Sequence, residues 1–294
     1  MAAPLGLRKF REHVAEAVIK LSGAASIVIV LLIFFFLLRE GVLLFRTLGP
    51  VDFLTGRKWY PISEPPELGI LPLIYGSLLV TLGAAVISIP LGVAAAIYIA
   101  EVAPRRYKEY LKSGIELLAA IPSVVLGFIG LVTIVPWVKT TFHAPTGLTA
   151  FSGSLILAFM AMPTIVSIAE DALHSVPKIY KEGAYALGAT QWQTIYRVIV
   201  PAAASGIVAA VMLGIGRVVG ETMAVLMITG NSASMPRGML SPVRTLTATI
   251  AAEMGETVQG SEHYFSLFAI GLVLFLITFF INMVSDLFMH RRRR

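Results

Sequence analysis

Residues 175–201 read SVPKIYKEGAYALGATQWQTIYRVIVP, a polar island in a chain of long apolar runs. Its local signals describe two short helices and a break. Ser175 is placed to cap the first helix, with Pro177 in the opening turn, where a missing N–H does no harm. Tyr180, Ala184 and Leu187 fall at i, i+4 and i+7 and make one apolar stripe. Gly188 suits the left-handed residue that closes such a helix. Thr190 and Gln193 form a T-x-x-Q capping box that starts the second. A small helix with one greasy face, flanked by Lys178, Lys181 and Glu182, has the form of a plug for a partner's groove. It equally has the form of an amphipathic helix lying at a membrane interface.

Glu182-x-Ala184, Gly188 and Val198-x-Val200-Pro201 keep the spacing EAA-x3-G-x9-I-x-L-P. The segment therefore resembles the EAA loop of ABC-importer permeases. Gly183, Val198 and Val200 depart from that pattern by small changes in bulk. The resemblance implies that residues 175–201 dock into a cleft on a cytoplasmic ATPase. Tyr180, Glu182, Gly183, Ala184, Leu187 and Gly188 are then the coupling residues.

Outward from this island the composition is that of a membrane protein. The 294 residues are 57% hydrophobic and only 14% charged, against about 25% charged in a soluble domain; mean hydropathy is +0.83. A net charge of +6 would fit nucleic acid, but the basic residues sit in short loops between apolar runs, as a topology signal does. With no cysteine, disulfides and thiolate chemistry are excluded. The five histidines are scattered without metal-ligand spacing, so neither a metal site nor a cofactor is expected.

Six spans account for the apolar runs. Leu21–Leu38 opens the first, and its length and the following Arg39-Glu40 argue against a cleaved signal. Gly69–Ala100, interrupted by Pro90, is the second; Leu117–Val138, containing Pro122 and Gly127, the third; Ala150–Ala169 the fourth. Val198–Ile228, broken by Arg217 and Glu221, is the fifth, and Tyr264–Leu287 the sixth. Glu101–Lys112 reads as a charged loop. On this topology fifteen of the 23 Lys and Arg residues fall on the side holding both termini and residues 175–201. The positive-inside rule makes that side cytoplasmic.

Arg217 and Glu221 stand among apolar residues, four apart, so on one helix they share a face and can pair. A charge at mid-membrane costs about 2.5–3.5 kcal/mol on insertion scales and normally faces protein or a watery path. The guanidinium fork matches oxyanions. A transport pathway and a structural ion pair both satisfy these constraints; over a straight helix from Val198, Arg217 would lie near a membrane boundary. Gly216-x-x-x-Gly220 reads as a smooth strip for close helix packing.

GRxxGETMAVxxxxGN from Gly216 to Asn231 and TxxAxxAAEMGE from Thr245 to Glu256 resemble the PstC-type permease of phosphate importers. The resemblance covers most of residues 70–285. It implies an all-α integral membrane protein with six transmembrane helices in the type I ABC-importer permease (MetI-like) fold. The expected organisation is a cytoplasmic tail (1–20), a first transmembrane helix (21–48), an extracytoplasmic loop (49–69), the permease domain (70–288) and a basic tail (289–294). Implied partners are a cytoplasmic ABC ATPase dimer, a PstA-type second permease, an extracytoplasmic phosphate-binding protein and phosphate itself, with Arg217 and Glu221 as the transport residues. No phosphate-binding P-loop motif occurs, so ATP must bind elsewhere. Three alternatives stand beside this reading: a permease for molybdate or sulfate, an ion-gradient-driven secondary carrier, and an intramembrane hydrolase. The carrier lacks a visible internal repeat, and the hydrolase lacks a G-x-S-x-G elbow.

Overall fold

The computed structural model describes residues 5–291, with side chains over 13–283 except Arg105. Residues 1–4 and the end of the basic tail, 292–294, lie outside the described residues. The elements run α1 (Leu5–Leu44), α2 (Pro50–Thr55), β1 (Trp59–Tyr60), β2 (Glu67–Leu68) and α3 (Leu71–Ile97). A π-helical turn (Tyr98–Val102) follows, then α4 (Arg105–Ala120), α5 (Ser123–Phe142), α6 (Ala150–His174), α7 (Lys178–Ala186) and α8 (Gln191–Thr194). A second π turn (Ile195–Ile199) leads to α9 (Val200–Ala202), α10 (Ala204–Val219), α11 (Met223–Ile228), α12 (Leu246–Glu253) and α13 (Glu262–Arg291).

Among the described residues, five helices are long and apolar enough to cross a membrane. The pair Gln191–Ala202 and Ala204–Val219, bent by 70°, makes a sixth if counted as one span. One end of the bundle carries 101–112 and 175–201 and is called the basic end. The other carries the antiparallel β1–β2 hairpin and residues 231–261 and is called the hairpin end.

Helix α6 is the axis. Thr149 caps it by accepting the Ser152 N–H at 3.2 Å, and its small residues let neighbours close in. Ser154 Oγ donates to the Val80 carbonyl of α3 at 3.1 Å. A Cβ on Gly92 of α3 would meet Ile165 Cγ2 at 2.9 Å, and one on Gly214 of α10 would meet Ile165 Cγ1 at 2.5 Å. Three helices thus converge on Ile165, which is fully buried. A second cluster at the basic end joins Ile99, Leu173, Ile195 and Ile199, and a third at the hairpin end joins Leu44, Phe53, Trp59 and Leu267. Helix α1 buries none of its most apolar stretch, as suits a lipid-facing span.

Several local expectations change. The run Leu117–Val138 is not one helix: Ile121 is extended (ψ 127°) and Pro122 caps α5 instead of sitting inside it, because a residue preceding proline is driven out of the α region. Residues 105–112, read as loop, are the first half of α4. Ser175 is the C-cap of α6, and Pro177 takes the N-cap of α7; Val176, one residue before proline, suffers the same exclusion. Gly188 has φ +81°, and the Thr190–Gln193 capping box is fully formed.

Candidate functional site

At the basic end α7 and α8 stand out from the bundle. Helix α7 has no buried residue, although its ends are fixed by the proline cap, the left-handed glycine and the box that follows. Tyr180 and Leu187 are exposed, Leu187 at 91%, beside exposed Ile179, Trp192 and Tyr196. Ala184 of the predicted stripe is half-buried, and Leu187 is the C-cap residue just beyond the helix. Glu182 is exposed, and among the described residues its side chain has no hydrogen-bond or ion-pair partner. A Cβ at Gly183 would meet nothing within 4 Å. The result is a rigid apolar projection flanked by charge.

Beneath it lie two buried carboxylates, each held by a lysine from another element. Glu101, 8% exposed, accepts from Lys181 Nζ at 2.6 Å. Glu170, 7% exposed, accepts from Lys112 Nζ of α4 at 3.0 Å and lies 3.0 Å from His174 Nε2. Lys112 also reaches Asp171 at 3.2 Å, and its pKa is raised by its hydrogen bonds to Glu170 and Asp171. Lys108 donates to the Ala100 carbonyl. The two lysine–carboxylate links are not readable from spacing, because their partners are about 60–80 residues apart, whereas Glu170 and His174 sit at i, i+4 on α6.

The predicted transport residues occupy a break. Gly206 of α10 lies against Ala172 near one end of α6, and Thr229, after α11, lies against Gly153 near the other. Helices α10 and α11 therefore cross together as one discontinuous span, interrupted at 220–222. Arg217 is in the last turn of α10; its Nη1 is 3.4 Å from Thr164 Oγ1. Thr164 is about 21 Å from one end of α6 and about 15 Å from the other at 1.5 Å per residue, so Arg217 lies alongside the middle of that helix. Among the described residues it makes no ion pair with Glu221. Glu221 Oε1 instead accepts the Ala224 N–H of α11 at 3.2 Å, and its carbonyl accepts from Thr247 Oγ1 at 2.8 Å. The helix ends between them, so the four-residue spacing no longer aligns the side chains. Arg217 and Gly216 line a groove of about 310 Å³ with Leu213, Thr278, Ile281 and Asn282. Gly216 and Gly220 meet no neighbouring helix of this chain; Gly206 and Gly214 carry the close packing.

At the hairpin end a cavity of about 810 Å³ is lined by Trp59, Asn231, Arg244, Glu253, Glu256 and His263 among others. Glu253 accepts from Trp59 Nε1 at 3.1 Å and lies 2.9 Å from His263 Nε2. Arg244 completes the set with an ion pair to Glu253 and donates Nε–H to the Asn231 carbonyl at 3.1 Å. This cluster knots the hairpin to α12 and α13.

A family described as binding-protein-dependent transport system inner membrane components matches residues 88–294. The chain belongs to this family. It is 43% identical over 250 residues to a probable ABC transporter permease, YqgH, of Bacillus subtilis, covering 85% of this chain and 81% of that one. It is 38% identical to the phosphate transport system permease PstC of Mesorhizobium japonicum, covering 80% and 76%, and 36% identical to PstC of Haemophilus influenzae, covering 80% of each. Among solved structures it superposes on a bacterial alginate ABC transporter (TM-score 0.63, 15% identity, 97% of this chain and 98% of that) and on the MetNI methionine ABC transporter (TM-score 0.61, 19% identity, 78% and 99%). The MetI-like fold and the PstC-type resemblance are borne out. The permease is a multi-pass membrane subunit of an ABC importer, and this family's subunits are not themselves catalytic.

Reading the permease by spacing missed Glu101, Glu170, Glu253 and His263. Glu253 lies inside the Thr245–Glu256 motif, but nothing in that motif shows its partners, and His263 borders a polar loop. Two signals were present at 101 and 170: carboxylates flank the ends of apolar runs there, where a basic loop elsewhere in the chain can reach them, and His174 stands four residues after Glu170.

Proposed function

We propose that this permease conducts inorganic phosphate inward, powered by a separate cytoplasmic ABC ATPase dimer seated on α7 and α8. The observation that carries the coupling part is the projection itself. An amphipathic helix with both ends capped and no residue buried is a ready plug for a groove, in the helix-in-groove mode. Its contact residues are Tyr180, Glu182, Gly183, Ala184, Leu187 and Gly188, joined by Trp192 and Tyr196. The basic end is cytoplasmic on the charge asymmetry of the loops, which puts both termini there, residues 1–20 and 289–294 forming the tails. The segment 49–69 then lies outside, before a permease domain over 70–288.

The names of the PstC relatives support phosphate as cargo, and Arg217 supports an oxyanion. A guanidinium alongside the middle of α6, with no counter-ion among the described residues, offsets the desolvation of a passing anion. Glu221 holds the break open by anchoring α11. A PstA-type second permease would supply the other wall of the groove by Arg217, and an extracytoplasmic phosphate-binding protein would deliver cargo at the hairpin end. Hydrolysis shifts α7 and α8, and the spans rock to open the path alternately to each side.

The test is labelled phosphate uptake into sealed vesicles holding the assembled complex, with ATP and an ionophore varied independently and molybdate and sulfate as competitors. Uptake is expected to need ATP and to survive the ionophore. Accumulation by the purified permease alone would overturn the reading, and preference for a competitor would change the cargo.

A further inference from the structure

We propose that Glu101 is a positioning residue, the clamp through which the coupling helices move span α3; this rests on the docking reading above. Its side chain takes α7 through Lys181 Nζ at 2.6 Å, and its carbonyl takes α8 through Gln191 Nε2 at 3.2 Å. One residue therefore grips both helices. Glu101 sits in the π turn that ends α3, closed by the Ala103 N–H to the Tyr98 carbonyl at 2.7 Å.

The clamp matters because, apart from packing on α8 and the second π turn, α7 is little held. It buries no residue, and among the described residues Lys181 to Glu101 is its one side-chain hydrogen bond or ion pair to the rest of the protein. That contact is charge-assisted and partly sheltered, Lys181 being 26% and Glu101 8% exposed. Such a bond is short, directional and stiff, and breaking it leaves a buried carboxylate without its cation. Beyond Glu101 the route continues through packing. Gly92 of α3 lies against Ile165, and Ile165 lies against Gly214, three residues before Arg217. Close-packed interiors transmit such displacements without absorbing them. The parallel route along the chain, through α9 into α10, passes a 70° bend at Ala203, where a push is turned aside.

The experiment uses the complete complex in proteoliposomes and reads phosphate moved per ATP hydrolysed, with co-purification of the ATPase recorded for each variant. Lys181→Met, on a helix with no buried residue, leaves the fold intact; Glu101→Gln removes the charge from the other side. Each is expected to retain the ATPase and to lower the phosphate-to-ATP ratio about tenfold, the scale of one charged hydrogen bond. The double variant is expected to be no worse than either single one, as a shared contact requires. An unchanged ratio in either single variant, loss of the ATPase from Lys181→Met, or losses that multiply in the double variant would each overturn the clamp. Leu187→Asp separates the two proposals: if the ATPase stays bound to that variant, docking fails, whatever the ratios at Glu101.

Discussion

Arg217 Nη1 lies 3.4 Å from the hydroxyl of Thr164, on the helix that forms the axis of the bundle. Among the described residues that contact sets the guanidinium beside a hydroxyl, not a carboxylate. Glu221, four residues on, is turned toward the N–H of Ala224. The chemistry follows from the separation. A tightly paired arginine would be neutralised, whereas on the function proposed above this one keeps its fork for a passing oxyanion.

Arg217→Ala should reduce phosphate uptake to the level of the empty complex while leaving assembly intact, because its side chain borders a groove instead of filling a core. Arg217→Lys keeps the charge but loses bidentate geometry; uptake is expected between wild type and Arg217→Ala. Vesicle uptake normalised to assembled complex checks both, and wild-type transport by Arg217→Ala would return the residue to a structural role.

Glu221 divides into cap and charge. Glu221→Gln keeps an oxygen for the Ala224 N–H, and Glu221→Ala does not. Thermal unfolding of the solubilised permease should fall for the alanine variant by about 1 kcal/mol, the usual cost of a lost cap, and hold for the glutamine. Equal losses would mean that the charge, not the hydrogen bond, anchors α11.

The docking face gives a pair of opposite outcomes. Gly183 stands in open space in mid-helix, so Gly183→Ala should stabilise α7 by about 0.5–1 kcal/mol and leave ATPase binding unchanged or tighter. Leu187→Asp places a charge on the most exposed apolar residue of the projection and should abolish binding. Pull-down of the ATPase with each variant decides it.

What could be read from the chain, and what could not, divides by range. Gly188 and the Thr190–Gln193 box are satisfied within a few residues, so their geometry is written locally. Ser175 failed because the exclusion imposed by Pro177 on Val176 outranks a capping preference. The pairing of Arg217 with Glu221 assumed a continuous helix, and the break at 220–222 is stabilised from afar by Thr247. Glu101 depends on partners 80 and 90 residues away, and Glu253 joins Arg244 and His263, nine and ten residues off, to Trp59, 194 residues off.

Lys112 supplies a pH test on the basic end. Its hydrogen bonds to Glu170 and Asp171 raise its pKa above the ordinary 10.5, so its contribution is fully present below that value and is lost as pH rises through the higher folded-state value. The difference in unfolding temperature between wild type and Lys112→Met should therefore stay flat from neutral pH to about 10.5 and close above it. A difference already gone by pH 9 would show that Lys112 is not held by these carboxylates.

The last prediction sets motif against geometry on α10. Gly216 and Gly220 have the spacing of a packing strip, yet a Cβ at Gly216 would touch nothing, whereas one at Gly206 would meet Ala172 Cβ at 2.4 Å and one at Gly214 would meet Ile165 Cγ1 at 2.5 Å. Gly206→Ala should force α10 off α6 and destabilise the permease by about 1–3 kcal/mol, the ordinary cost of overpacking. Gly216→Ala should leave its unfolding temperature unchanged or slightly raised. Thermal unfolding of the isolated subunit separates the two, because a partner helix seated on Gly216 in the complex would not contribute there. If Gly216→Ala unfolds earlier than Gly206→Ala in that measurement, the register of α10 on α6 described above is wrong.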